Sequence, residues 1–106
     1  MFKSFEDLDI RVGTIVHADV FKEATNPSYK LKIDFGELGI LKSSAQITKN
    51  YTIEMLVNFQ VIAVVNFPKK QIANFMSECL VLGVVEGDSV VLITPNNKIA
   101  NGLKIA

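Results

Sequence analysis

Three lysines and a short run of polar residues hold most of the chemistry open to this sequence. Lys30, Lys32 and Lys42 alternate along two β-like runs, and Ser44, Gln46 and Asp34 share their outward side. Ammonium groups attract phosphates, while serine and glutamine bond to sugar hydroxyls and base edges. Such a face has two readings: a surface for an anionic chain, or a solvated strand face whose charges keep an edge from aggregating. Asn66 ends an apolar run, and Lys69 and Lys70 follow it. Its amide either stops the strand by bonding to local backbone or faces a ligand beside those lysines. Phe67, Phe75 and Met76 bracket the segment 68–76. Aromatics near cations stack on bases, Phe with Met makes an adaptable pocket for peptides, and both also pack in cores.

Catalysis finds no such footing. His17, the sole histidine, falls on the outer side of its strand with no nucleophile beside it. Neither a glycine-rich phosphate loop nor a metal-ligand spacing can be read along the chain. The carboxylates Glu6, Asp7 and Asp9 cluster where a helix N-terminus would favour them. One cysteine, Cys79, precludes an internal disulfide or a cysteine zinc cluster, and its apolar neighbours make it a small buried hydrophobe. The expectation is a binding module with no cofactor and no metal.

The elements that hold these residues are short strands separated by turn signals. Ser4 followed by Asp7 has the form of a capping box over one helical turn. A first strand is expected over 10–21, with Ile10, Val12, Val16, Ala18 and Val20 on one face and a bend at Gly13. Residues 29–35 alternate cleanly, with Leu31, Ile33 and Phe35 opposite the lysines. A third strand over 40–47 places Leu41, Ala45 and Ile47 opposite Lys42, Ser44 and Gln46. Thr52 caps a short helix, and further strands follow over 60–67, 79–85 and 89–94, with a loop over 68–76. Three strands, a helix, then more strands is the order of a five-stranded OB-fold Greek-key barrel, all-β with short helices and N- and C-terminal extensions.

Length and composition agree with one small domain over residues 1–106. Hydrophobic residues make up 49% of the chain, more than a barrel of this size can hide alone. The runs 61–65 and 80–85 are apolar on both faces, although a barrel wall has only one interior face. A self-complementary contact with a second copy is favoured over cover by the chain ends. Eleven basic and eleven acidic residues cancel, which argues against a wide nucleic-acid footprint but leaves room for one basic face. No signal-peptide-like or membrane-length apolar run is seen, so a cytoplasmic protein is expected.

Several ordered motifs resemble one family. They are Asp9-Ile10-Arg11-Val12-Gly13, Lys32-Ile33-Asp34-Phe35-Gly36, Ser43-Ser44-Ala45-Gln46-Ile47-Thr48, Val64-Val65-Asn66-Phe67, Ser77-Glu78 and Asn101-Gly102. The chain resembles the tRNA-binding domain that occurs as an appendage of methionyl- and phenylalanyl-tRNA synthetases and as free-standing proteins. The Ser-Ser-Ala-Gln-Ile-Thr form is similar to the CsaA branch, described as secretion-related chaperones. The resemblance implies an OB-fold homodimer with affinity for tRNA and, in that branch, for precursor or unfolded polypeptides. It also implies ligand-face positions at Ser44, Gln46, Asn66, Lys70, Ser77 and Glu78. Departures exist: Gln71 and Asn74 stand where the family has a second cation and a glycine, and Cys79-Leu80 replaces Gly-Met. Each lost cation weakens RNA binding and favours peptide.

Overall fold

The computed structural model describes residues 2–106. Residues Phe5–Asp7 form a single 3-10 turn, and the Asp7 carboxylate accepts the Ser4 backbone N–H at 3.1 Å. Strands β1 (Ile10–Val20), β2 (Tyr29–Asp34), β3 (Ile40–Ala45), β4 (Gln60–Val64) and β7 (Leu80–Val81) form one antiparallel sheet in the order β3-β2-β1-β4-β7. It curls into a nearly closed barrel, as the sequence order leads one to expect. Helix α1 (Ile53–Leu56) lies between β3 and β4, and the Thr52 hydroxyl accepts the Met55 N–H at 3.3 Å. Strands β5 (Lys70–Ile72) and β6 (Phe75–Ser77) form one hairpin, and β8 (Gly83–Glu86) and β9 (Ser89–Leu92) another.

The core follows the alternation of β2: Leu31, Ile33 and Phe35 are fully buried, joined by Ile15, Leu56 and Val61. Each large aliphatic or aromatic side chain so buried contributes about 1.5–3 kcal/mol of transfer free energy. In β1 the expected faces hold only in part. The register with β2 shifts between Ile15 and His17, and this bulge inverts the inside-outside parity beyond it. Ile15 and Ala18, three residues apart, therefore both enter this core, while Ile10 and Val12 pack on the other side of the strand; Val16 and Val20 are exposed.

Two further expectations are corrected. The segment 68–76 is not a plain loop but mostly the β5–β6 hairpin, turned by Ala73 at φ 50° and Asn74. The run 79–85 is broken at Leu82, whose N–H turns to the Ile62 carbonyl while its own carbonyl accepts from Ile93. Cover of β4 also differs. All five of its residues are buried, and its outer side, Ile62 and Val64, packs with Ile10, Val12, Leu8, Leu82 and Ile105. There the chain ends provide the cover, with no second copy needed.

The C-terminal segment reaches this position as a strap. Val12 donates to the Leu103 carbonyl and accepts from Gly102, and Ile105 donates to the Ile10 carbonyl. The strap thus pairs with the first half of β1 on the side that β2 has left. Arg11 binds the Gly102 carbonyl at 2.9 Å and the Asp9 carboxylate at 2.6 Å. The Asn101 amide oxygen accepts from Thr14 at 2.7 Å, and the buried Gln60 amide is held by Ile99 and Asn101.

Candidate functional site

The outer face of β1, β2 and β3 brings the three lysines together. His17 faces Lys32, which faces Lys42; Asp19 faces Lys30, which faces Ser44. Like charges set directly opposite each other in a sheet are destabilising. Phe75 offsets that cost. The Lys42 and Lys30 ammoniums lie 5.3 and 6.0 Å from its ring centroid, within cation–π range. Phe21 braces Phe75 edge-on at 5.4 Å and lies 5.6 Å from the Lys30 ammonium. The β5–β6 hairpin therefore lays an aromatic ring against Lys30 and Lys42 and fixes where those two charges sit.

Beside this face runs an apolar groove of about 540 Å³. Ser44, Ala45, Gln46 and Ile47 line one side and Leu82, Gly83 and Val85 another, with Phe67, Lys70 and Ile72 at the hairpin end. Its walls are mainly aliphatic, and Ser44, Gln46, Lys70 and Ser77 supply the polar groups. Phe67 lines the groove, but Phe75 and Met76 do not. Phe75 instead packs against Phe21 and the Lys30 and Lys42 ammoniums, while Ile72 and Ser77, on the same face of the hairpin by its register, line the groove.

The remaining positions are engaged within the chain. The Asn66 amide accepts from the Asp9 N–H and donates to the Asp7 carbonyl, both at 2.9 Å, so it holds the N-terminal segment in place. Glu78 accepts the Lys42 N–H at 2.8 Å and donates its own N–H to the Lys42 carbonyl at 2.7 Å. Ser77 accepts the Ser44 N–H at 3.2 Å, and the Ser43 hydroxyl donates to the Cys79 carbonyl at 2.9 Å. Ser77 and Glu78 thus cap the upper half of the β3 edge and join it to β7. The Lys69 ammonium lies 3.8 Å from the Glu78 carboxylate.

Phe21 belongs to this neighbourhood although nothing in its local sequence marks it, and Ser43, the first residue of the Ser-Ser-Ala-Gln-Ile-Thr motif, joins through its bond to Cys79. Phe21 ends the first expected strand and is buried; its use as a brace depends on Phe75, far along the chain. His17 is exposed and bonds only to Asp19, at 2.8 Å. Cys79 is buried, and desolvation pushes its thiol up to about 12, so it stays protonated and unreactive at neutral pH. Among the described residues no three His, Cys, Asp or Glu side chains gather as a metal site. No helix is long and apolar enough to cross a membrane.

Comparison with known proteins agrees with this geometry. Residues 10–104 match the family model described as a putative tRNA binding domain. The chain is 31% identical over 104 residues to a methionine–tRNA ligase of Pyrococcus horikoshii, covering 98% of this chain and 14% of the ligase. A methionine–tRNA ligase of Helicobacter pylori is 33% identical over 102 residues, covering 95% and 15% respectively. The chain therefore spans about one seventh of the curated relatives it matches. Among solved structures, the chaperone CsaA of Bacillus anthracis superposes with a TM-score of 0.92 at 55% identity, each chain fully covered. The CsaA chaperone protein of Picrophilus torridus gives 0.89 at 52% identity, covering 99% of this chain and 100% of the other. With its barrel, its lysine face and its Ser77-Glu78 closure in place, the chain belongs to the tRNA-binding domain family.

Proposed function

We propose that the protein is a non-catalytic, homodimeric tRNA-binding module of the cytoplasm that also holds unfolded or precursor polypeptides as a chaperone in protein export. The observation that carries the RNA reading is the gathering of Lys30, Lys32 and Lys42 on one strand face, with Phe75 against Lys30 and Lys42, in a chain of zero net charge. Phosphates of a folded RNA would meet these ammoniums, with Ser44, Gln46, Lys70 and Ser77 fixing register from the groove. Asn66 and Glu78 act by holding the frame, given their internal bonds.

The peptide reading is favoured by the apolar groove with Phe67 at its end. A salt titration of tRNA and of a denatured client, side by side, tests both. Each phosphate contact contributes a slope of about −0.7 to −0.9 in log K against log salt, so tRNA binding should fall with a slope of about −3 or steeper. Client binding should hold or strengthen over the same range. A flat tRNA response removes the RNA reading, and a client response as steep as that of tRNA removes the groove from the peptide reading.

Homodimerism is supported by the outer face of the β8–β9 hairpin. Val84 and Val91 are cross-strand partners and, with Ile93, lie exposed on the side opposite Leu92 and the groove. An apolar strand face of this kind marks a contact site. The double variant Val84→Asp, Val91→Asp should sediment as a monomer at concentrations where the parent is a dimer. Unchanged sedimentation would place the contact elsewhere.

A further inference from the structure

The groove has free main chain on two sides. In an antiparallel strand, alternate residues direct N–H and C=O away from a given neighbour. On β3 these residues are Lys42 and Ser44, whose outward groups meet Glu78 and Ser77. The alternation continues to Gln46, past the reach of those caps, and its main-chain groups bond to nothing else among the described residues. By the same alternation the Ser44 carbonyl points outward beside its N–H, and among the described residues nothing outside the strand ladder bonds to it. On β8, Leu82 accepts from Ile93, so the even residues face β9 while Gly83 and Val85 turn the other way. Both Gly83 and Val85 line the groove, as do Ser44 and Gln46. The barrel thus has a gap here, with an uncapped strand edge on each side and an apolar lining that includes Ile47, Val90 and Leu92.

We propose that an unfolded polypeptide enters this gap as an added β-strand, bonding to Ser44 and Gln46 on one edge and to Gly83 and Val85 on the other. This rests on the chaperone reading above and states its mode of recognition. Folded proteins usually blunt exposed edges, and the upper half of β3 is blunted by Ser77 and Glu78. The lower half is left open beside apolar surface. The occupant that fits is an extended segment of about four residues with apolar side chains at alternate positions, since 44–47 spans about 13 Å of strand. Alternating amide donors and acceptors are common to every polypeptide and absent from a nucleic acid, so strand addition would be tolerant of client sequence. A second copy has its own apolar surface, on the opposite face of the β8–β9 hairpin.

The test uses the intact protein and a capped six-residue peptide of alternating valine and threonine, compared by calorimetry with versions in which single central amides are replaced by esters. An ester keeps shape but cannot donate. Each central replacement should weaken binding about tenfold, the effect of losing a main-chain bond and leaving its acceptor unpaired. Val85→Pro, which removes an outward donor at an edge where proline is tolerated, should weaken the parent peptide by about the same factor and leave tRNA affinity unchanged. Esters that bind like the parent overturn strand addition and leave the chaperone reading standing. A parent peptide that does not bind at all overturns both, and a peptide that binds only dissociated monomers assigns the gap to a second copy. If Val85→Pro fails to fold, the ester series decides alone.

Discussion

The triple variant Lys30→Ala, Lys32→Ala, Lys42→Ala is expected to bind tRNA about a hundredfold more weakly than the parent at low salt. Its salt slope should flatten by about three. The argument is additive at first order: each exposed ammonium on a phosphate contributes on the order of 1 kcal/mol, and about 2.7 kcal/mol is a hundredfold. Removing the lysines also relieves the opposed charges of Lys32 and Lys42, so the thermal midpoint should hold or rise. Client binding in the groove should be unaffected. A filter-binding titration at several salt concentrations reads both affinity and slope. If affinity falls while the slope stays, the lysines do not meet phosphates, and the electrostatic footprint lies elsewhere, with Lys69 and Lys70 the next to test. Phe75→Leu separates charge from placement: it keeps all three ammoniums but removes the ring that Lys30 and Lys42 share.

The second large effect is on stability. Gly102 adopts φ +90°, and a Cβ there would collide with the Phe35 carbonyl where the strap crosses the end of β2. Asn101 closes on Gly36 from the other side, so neither backbone can yield without parting the strap from β1. Gly102→Ala should therefore cost about 3 kcal/mol, combining backbone strain with overpacking. For a domain of this size the thermal midpoint should drop by more than about 10 °C. Gly87→Ala is the control. Its φ is +60°, but nothing lies within 4 Å of the added carbon, so it carries the strain without the collision. Melting curves that shift equally for the two would show that the crossing has room to spare.

Much of the barrel is legible in the chain because the relevant signals are local. Leu31, Ile33 and Phe35 alternate with charged residues, Thr52 stands before a short apolar stretch, and Asp7 stands three residues after Ser4; each needs only its neighbours to be read. The bulge between Ile15 and His17 escapes such a reading, because one inserted residue inverts parity without leaving a compositional mark. The β5–β6 hairpin escapes as well: Ala73 takes a left-handed conformation that alanine seldom adopts, so the turn lacks its usual glycine. At the site, the lysine row and the polar residues of β3 are visible in sequence. Their division into a charged face and a separate groove is not, because it depends on which way the hairpin turns Phe75. The capping by Ser77 and Glu78 joins residues about 35 positions apart, beyond any local pattern.

The strap has a consequence for synthesis. Val12 pairs with Gly102 and Leu103, and Ile10 with Ile105, so the first strand lacks its last partners until the chain has grown by some ninety residues. At about 5–20 residues per second that wait is roughly 5–20 s. Throughout it, Ile10 and Val12 sit on an open edge next to apolar β4, and closing so long a loop is entropically slow. During its own translation each copy is thus an unfinished polypeptide of the kind the mature groove is proposed to hold.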